Sequence, residues 1–317
     1  QIRHPPHRKP PAIGSRVRRL VLAAPHPLRD PVLLAATHQG MFERYRLEVS
    51  FAGPDFGDVG SGREALDQVA LGHADGAVAA ALSWLPRLQS GLDARLVCGL
   101  QAGSSRLLIG RNSPIARIED LKRRAIGITS DDSPDRLFFS IMMRRKGMDP
   151  NRDVQWRAMP PDALGLALAE GEVQAIVGHD PGIWRLRETL HLTELASSMS
   201  GSYSVRVSRL LGLRTDLLRR DPAGAYALTM AVRDAASWIA HHHEQIAVLL
   251  ATQDDRLTLQ QVSRMLATEG LGVQPTGQEL QNQVAEYLDE LKLLAIVPEN
   301  VQSDVLARRL TANVLKA

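Results

Sequence analysis

The sequence predicts an α/β protein of two lobes, each a mixed, doubly wound sheet, followed by a helical C-terminal extension. Short apolar runs alternate with helical stretches through most of the chain, the order expected of sheets flanked by helices. Three times an apolar run ends in a polar turn carrying Asp-Pro or Ser-Pro, at Asp30-Pro31, Ser133-Pro134 and Asp180-Pro181. Such a pair sets an N-cap side chain ahead of a proline whose missing N–H costs nothing at the first helical position. A length of 317 residues, 44% of them apolar, suffices for two cores, and these must be aliphatic because aromatics make up only 4%.

Residues 19–24 form the first expected strand. The turn Pro25-His26-Pro27-Leu28-Arg29 follows, then a helix from Pro31 to about Thr37 that Gly40 closes as a C′ glycine. Leu47, Val49 and Phe51 alternate in the second strand. A glycine-rich loop over 53–62 leads to a helix over 63–72 with Ala65, Leu66, Val69 and Ala70 on one side. A small-residue strand comes next at 74–80, then a helix begun by Ser83-Trp84 and ending near Gly91, then a strand at 94–100.

The central stretch, 106–145, shows the same grammar most clearly. A short run at 107–110, a Ser113-Pro114 turn and an amphipathic helix at 118–124 lead into the apolar run 125–128, which reads as a buried parallel strand. It ends in Thr129-Ser130-Asp131-Asp132-Ser133, after which Pro134 opens a helix whose apolar face includes Leu137, Phe138, Ile141 and Met142. A polar turn between a strand's carboxyl end and a helix N-terminus is where open α/β sheets take small ligands, because free N–H groups and the helix dipole face the crevice. Strands at 153–159 and 173–177 flank a helix at 161–171, and Gly178-His179-Asp180-Pro181 leads into a helix containing Trp184. Residues 203–214 read as one long strand crossing back to the first lobe. From Asp221-Pro222 onward the chain reads as helical, the first helix running to about His243, with a break at 270–276.

Composition excludes several classes. The net charge of +3 arises from 38 basic residues interspersed among 35 acidic ones, which argues against a nucleic-acid surface. A single cysteine, Cys98, excludes an internal disulfide and a multi-cysteine zinc site. No apolar run approaches the roughly 18 residues of a membrane span. The chain starts at Gln1 in a basic, proline-rich tail over 1–17, consistent with removal of a leader. His4 and His7 in that tail could hold a metal loosely, but chelation needs an order that proline-rich segments rarely supply; His241-His242-His243 point in three directions on a helix and read as a solvated helix end, with metal binding the lesser alternative. A nucleophile elbow, an HExxH pair, a Walker loop and a GxGxxG fingerprint are all missing.

Five segments in order carry a family resemblance: LLAATHQGMFERYRLEVSF, ALDQVALGHADGAVAA, SPIARIEDLKRRAIGI, LALAEGEVQAIVGHDP and DPAGAYALTMAVRDAASWIAHHHEQIAVLL. Over about residues 18–300 they resemble the periplasmic solute-binding proteins of ABC importers, in the nitrate, sulfonate and taurine group with its thiamine-precursor-binding relatives. Arg123-Arg124 depart from the usual Gly-Lys, and Gln174 from the usual Asp. The resemblance implies a type II periplasmic-binding-protein fold, with lobe one at 18–107 and 206–317 and lobe two at 108–205. Crossing segments near 106–111 and 203–208 would let the lobes close on a ligand. It also implies a periplasmic monomer, without cofactor or metal, that presents a small-molecule solute to an ABC permease in the inner membrane. Enzymes and sensors of the same fold are the rivals. Fungal-type pyrimidine synthases carry a cysteine-rich motif that this chain lacks, menaquinone-pathway enzymes are shorter, and a sensing module needs the same closing cleft as an importer's binding protein.

The cleft should be built from turns at strand ends, namely His26 and Arg29, Ser83 and Trp84, Ser104 and Ser105, Thr129, Ser130, Asp131 and Ser133, and His179 with Asp180. Arg29 can pair bidentately with a sulfonate or carboxylate, or sit at the surface beside Asp30. The serines and Thr129 can donate to an anion or serve as ordinary turn and cap residues. Asp131 and Asp132 repel a bare anion, so they either cap the helix or answer a positive or donor group on the ligand. Trp84 and Trp184 can close over a flat or aliphatic ligand or pack in a core. The expected solute is small and anionic or zwitterionic, of sulfonate or taurine type, or nitrate or bicarbonate, with an aminopyrimidine thiamine precursor as the alternative.

Overall fold

The computed structural model describes residues 12–53 and 62–316; the tail with His4 and His7, and most of the glycine-rich loop, lie outside the described residues. The chain opens with β1 (Arg18–Ala23), α1 (Pro31–His38), α2 (Met41–Arg44), β2 (Leu47–Phe51), α3 (Arg63–Ala70) and β3 (Gly76–Ala80). Next come α4 (Ala81–Gln89), β4 (Ala94–Ala102), β5 (Ser105–Ile109), a 3-10 turn (Ile118–Leu121), β6 (Arg124–Ile128) and α5 (Pro134–Arg145). The middle continues through β7 (Val154–Ala158), α6 (Pro161–Ala169), β8 (Ala175–His179), α7 (Gly182–Leu190), β9 (Thr193–Ser197) and a second 3-10 turn (Gly201–Val205). After β10 (Arg209–Arg214) the chain is mostly helical, with α8 (Thr215–Arg220), α9 (Pro222–His241), α10 (His243–Gln253) and α11 (Leu259–Ala267). The short β11 (Gly270–Leu271), α12 (Gly277–Leu293) and α13 (Ser303–Leu310) complete it.

These strands make two mixed sheets, ordered β11-β4-β10-β3-β1-β2 and β7-β6-β8-β5-β9. In the first, β1, β2 and β3 are parallel and β10 runs antiparallel between β3 and β4; in the second, β6, β7 and β8 are parallel and β5 is antiparallel to β8 and β9. The backbone passes from first sheet to second at Gly103-Ser104, where φ is +92° and +84°, and returns through residues 198–208. Arg106, expected in the first crossing, is already inside β5. The expected strand over 203–214 divides into a 3-10 turn and β10, because the chain must turn before it can enter the sheet between β3 and β4.

Side-chain caps place several helices. Asp30 accepts from the N–H groups of Val32 and Leu33 at 2.9 and 3.1 Å, and Ser133 Oγ accepts from those of Asp135 and Arg136 at 3.1 and 3.4 Å. Asp221 caps α9 through Gly224 N–H at 3.0 Å. At Asp180 the expected cap is overturned: α7 starts at Gly182 without a side-chain cap, since the Asp180 carboxylate is held by Arg106. In α5, Phe138, Phe139, Ile141 and Met143 are buried and Leu137 and Met142 only half-buried, because α4 and α12 cover the side of the helix away from its sheet. The C-terminal helices are part of a core and not an appendage: Leu280, Val284, Leu288 and Leu291 of α12 belong to the same apolar cluster as Trp84 and Phe139. His241 and His242 donate from Nδ1 to the carbonyls of Ser237 and Trp238, at 2.8 and 2.7 Å, and His242 stacks on Trp238, so these two rings are spent on their own helix end.

Trp84 is wholly buried, its Nε1 donating to the Leu210 carbonyl at 3.1 Å. Its ring lies so close to β10 that a methyl at Gly212 would sit 2.6 Å from it. Gly212→Ala is therefore expected to lower the unfolding free energy by about 1–3 kcal/mol, read as a lower urea midpoint at unchanged m-value. An unchanged midpoint would show that the indole can retreat.

Candidate functional site

A cleft enclosing about 890 Å³ of space between atoms, part of it continuous with solvent, opens between the two sheets. One wall belongs to the first sheet: His26, Arg29 and Asp30 after β1, Ser83 in the first turn of α4, and Ser208 and Arg209 at the start of β10. The facing wall carries Ser105 of β5, Asp135 and Phe138 of α5, His179 and Asp180 at the end of β8, and Ser198 after β9. Ser104 and Tyr203 with Arg206 line it from the two crossings, and Tyr287 reaches in from α12.

Charge in this cleft is organised in three nodes. At the first, Asp135 is buried, accepts from Ser105 Oγ at 2.6 Å and from Ser133 Oγ at 3.3 Å, and lies 2.8 Å from His179 Nδ1. Burial alone would raise its pKa, but the charge and hydrogen bond of His179, with the two serine hydroxyls, hold it below the usual carboxylate range. At the second, Arg106 is buried and grips Asp180 bidentately, with Nε at 2.9 Å from Oδ1 and Nη2 at 2.9 Å from Oδ2. It also reaches Glu194 at 2.6 Å and Thr268 Oγ1 at 2.5 Å, with its guanidinium 4.7 Å from the Trp184 ring centroid. Burial opposes its charge, yet the carboxylates win and raise its pKa. At the third, buried Glu290 accepts from Tyr203, Arg206 and, at 2.8 Å, Arg145. Arg206 is packed between the rings of Tyr203 and Tyr287, 4.6 and 5.0 Å from their centroids, and its Nε has no partner among the described residues. Arg209 pairs with Asp30; burial pulls its guanidinium down to about 10, with Glu269 acting the other way, so it stays charged at neutral pH.

Seven of the residues read from the sequence line the cleft: His26, Arg29, Ser83, Ser104, Ser105, His179 and Asp180. Arg29 faces Asp254 at 4.0 Å and not Asp30, whose carboxylate is taken by the α1 cap and Arg209. The other five lie elsewhere. Trp84 is core. Thr129 lines a smaller pocket with Leu164 and Ile183. Ser130 is half-buried outside the cleft wall, its Oγ without a partner among the described residues. Asp131 is exposed and pairs with Arg136 at 3.3 Å, while Ser133 is spent as the cap. The reason is common to all four turn residues: α5 enters the cleft by its first helical turn, so Pro134, Asp135 and Phe138 face the space and the turn before them does not.

Asp135, Phe138, Ser198, Tyr203, Arg206, Ser208, Arg209 and Tyr287 were not among the expected residues. Asp135 had a local signal, a carboxylate just inside a helix start. Tyr287 lies 80 residues from the Val207 carbonyl it binds at 2.7 Å, and nothing near it in sequence marks it.

Two mixed sheets with a cleft between them are the periplasmic-binding-protein fold. The chain belongs to the NMT1-like family, whose model matches residues 27–252. Among solved structures it is similar to the periplasmic aliphatic sulphonate binding protein SsuA of Escherichia coli, with a TM-score of 0.73 and 17% identity over 94% of this chain and 92% of that one. The alkanesulfonate-binding SsuA of Xanthomonas axonopodis pv. citri, bound to MOPS, gives 0.73 at 16% identity over 93% and 99%. The periplasmic nitrate-binding protein NrtA of Synechocystis PCC 6803 gives 0.73 at 14% over 94% and 87%. At these identities the likeness is one of fold. A stretch of 118 residues is 26% identical to the bicarbonate transport ATP-binding protein CmpC of Synechococcus elongatus, covering 37% of this chain and only 18% of that protein.

Because Asp135 titrates lower folded than unfolded, its contribution is complete above the unfolded carboxylate value of about 3.9 and is lost as pH falls through its folded value. Asp135→Asn is expected to destabilise the protein at neutral pH by about 1–3 kcal/mol. It should also flatten the acid limb of urea midpoint against pH; an acid limb as steep as the parent's would assign that limb to other carboxylates.

Proposed function

We propose that this chain is the extracytoplasmic solute-binding protein of an ABC importer, capturing a small organic anion or zwitterion between its two sheets. The observation that carries the reading is the cleft itself, whose opposed walls come from different sheets joined, among the described residues, by two backbone crossings. A space of this size suits a small molecule, and a site shared between two bodies changes its affinity as they approach, which is how capture couples to presentation. The sulfonate- and nitrate-binding proteins named above, and the bicarbonate transport protein, support a small anion as the solute.

The anionic preference rests on Arg206. Its two terminal nitrogens are occupied by Glu290 and Glu286, and its buried Nε–H is left without an acceptor among the described residues. A ligand oxygen there would satisfy it, and charge-assisted bonds of this kind are the stronger ones. The alternative, a flat aminopyrimidine, draws on Phe138, Tyr203 and Tyr287, three aromatic rings along one side of the cleft. In this role no bond is made or broken. Ser105 donates its proton to Asp135 and not to an imidazole, so the serine lacks the base that activates a nucleophile. Cys98 is fully buried, its thiol pushed up to about 12 by burial, which makes it inert.

A thermal-shift screen of the purified chain against sulfonates, nitrate, bicarbonate, amino acids and pyrimidines tests the reading. A true solute at about a hundred times its Kd stabilises by about 2.7 kcal/mol. The shift should vanish for Arg206→Gln if the solute is anionic and persist if it is a pyrimidine held by the rings, and no candidate should be turned over. Product formation, or no shift with any of them, would overturn the proposal.

A further inference from the structure

A side compartment opens off the cleft on the side of the first sheet, enclosing about 470 Å³ of space between atoms, part of it open to solvent. It shares Arg29, Ser104, Asp180, Pro181 and Arg209 with the main cleft, so the two are continuous. Leu250, Leu257, Val262 and Met265 make an apolar wall, and Gln101 and Glu269 supply polar groups. The function proposed above leaves this space unused.

Gln101 is 1% exposed; its Nε2 donates to Glu269 at 3.0 Å and its Oε1 has no partner among the described residues. A buried carbonyl left without a donor is costly, and a ligand group bearing N–H or O–H would relieve it. Glu269 adds a second, independent sign. The charges around it are already matched: Arg106 with Asp180 and Glu194, Arg209 with Asp30, and Asp254 with Arg256 at 2.8 Å and Arg29 at 4.0 Å. Glu269 itself has no ion-pair partner within 4.0 Å among the described residues. Burial, with the carboxylate of Asp180 beside it, pushes its pKa upward against the pull of Arg106 and Arg209, which favours the protonated form. An arriving anion would meet Glu269 and Asp180 and find the arginines engaged. A cation would meet a carboxyl able to ionise.

We propose that the side compartment is a subsite for a protonated amine borne on an apolar arm of the solute. The ammonium donates to Gln101 Oε1 and to the carboxylate of Glu269, which releases its proton to solvent, and the methylenes of the arm lie against Leu250, Leu257, Val262 and Met265. This rests on the main cleft being the solute site and adds which solutes it prefers: elongated ones, with an acidic group at one end and an amine at the other.

Calorimetry on the full chain with matched butane-, pentane- and hexanesulfonates, each with and without a terminal amine, tests this. The amine should raise affinity by about tenfold and release a proton, seen as a binding heat that depends on the ionisation enthalpy of the buffer. Glu269→Gln should abolish both the preference and the proton release, and Gln101→Met should reduce the preference. Equal binding of the two series to the parent protein, or a preference that survives in Glu269→Gln, would overturn the subsite while leaving the cleft as a sulfonate site. If neither series binds, the anionic reading of the cleft falls and the subsite falls with it.

Discussion

The cleft depends on the buried pair of Arg106 and Asp180. Taking two charges out of water costs several kcal/mol each, and the loss is recovered only where geometry is good and the remaining donors are satisfied. Both conditions hold: the pair is bidentate, Glu194 accepts from Nη1, Thr268 accepts from Nη2 alongside Asp180, and Trp184 covers one face. The pair also fixes backbone. Asp180 N–H donates to the Ser104 carbonyl at 2.9 Å, so the turn after β8 is tied to the first crossing between the sheets. That knot sets the inner end of the cleft, and through Thr268 it binds the second sheet to the segment after α11.

From this follows the chemical character of the cavity. Asp30, Asp135 and Asp180 all line it, yet each is matched internally, by Arg209, His179 and Arg106. A solute therefore does not meet a field of one sign. It meets the Ser105 hydroxyl oxygen, whose proton is given to Asp135, aromatic faces, and the few atoms whose bonding is incomplete. Selectivity in such a site comes from where those incomplete atoms sit, since a buried polar group left unpaired costs more than a paired one gains.

How far the sequence could reveal this depends on the range of each interaction. Asp30, Ser133 and Asp221 are readable as caps because a cap and the N–H groups it serves lie within three residues. The same grammar fails at Asp180, since a partner 74 residues away claims its carboxylate. The α/β alternation gives most strands and helices, but residues 203–214 read as one strand because an apolar and basic run carries no mark of the turn at Gly201–Val205. The turn at 129–133 has the composition of a ligand loop, and only the entry angle of α5 decides that Asp135 and Phe138 face the cavity instead. Gln101 was legible as neither strand end nor site, being interesting only because one of its two amide atoms lacks a partner.

Contacts between the two bodies fall into unequal groups, and that inequality bears on how capture would work. At the rim, Arg63 pairs with Asp132 at 2.7 Å and Arg264 with Glu188 at 3.0 Å, in each case with an exposed arginine. Exposed pairs are worth about 0–1 kcal/mol, so parting them costs little. Deeper in, Glu290 of α12 binds Arg145 of α5, and Phe138 meets Tyr203 edge-on at 4.9 Å. Parting those would strip a buried carboxylate of one of its cations, a larger cost. A solute that bridges the walls has to supply only the difference between the open and closed arrangements. With cheap contacts at the rim and costly ones toward α12, the walls would part first at the rim, pivoting about the α12 side, where Arg206 already holds its rings and Glu290 together.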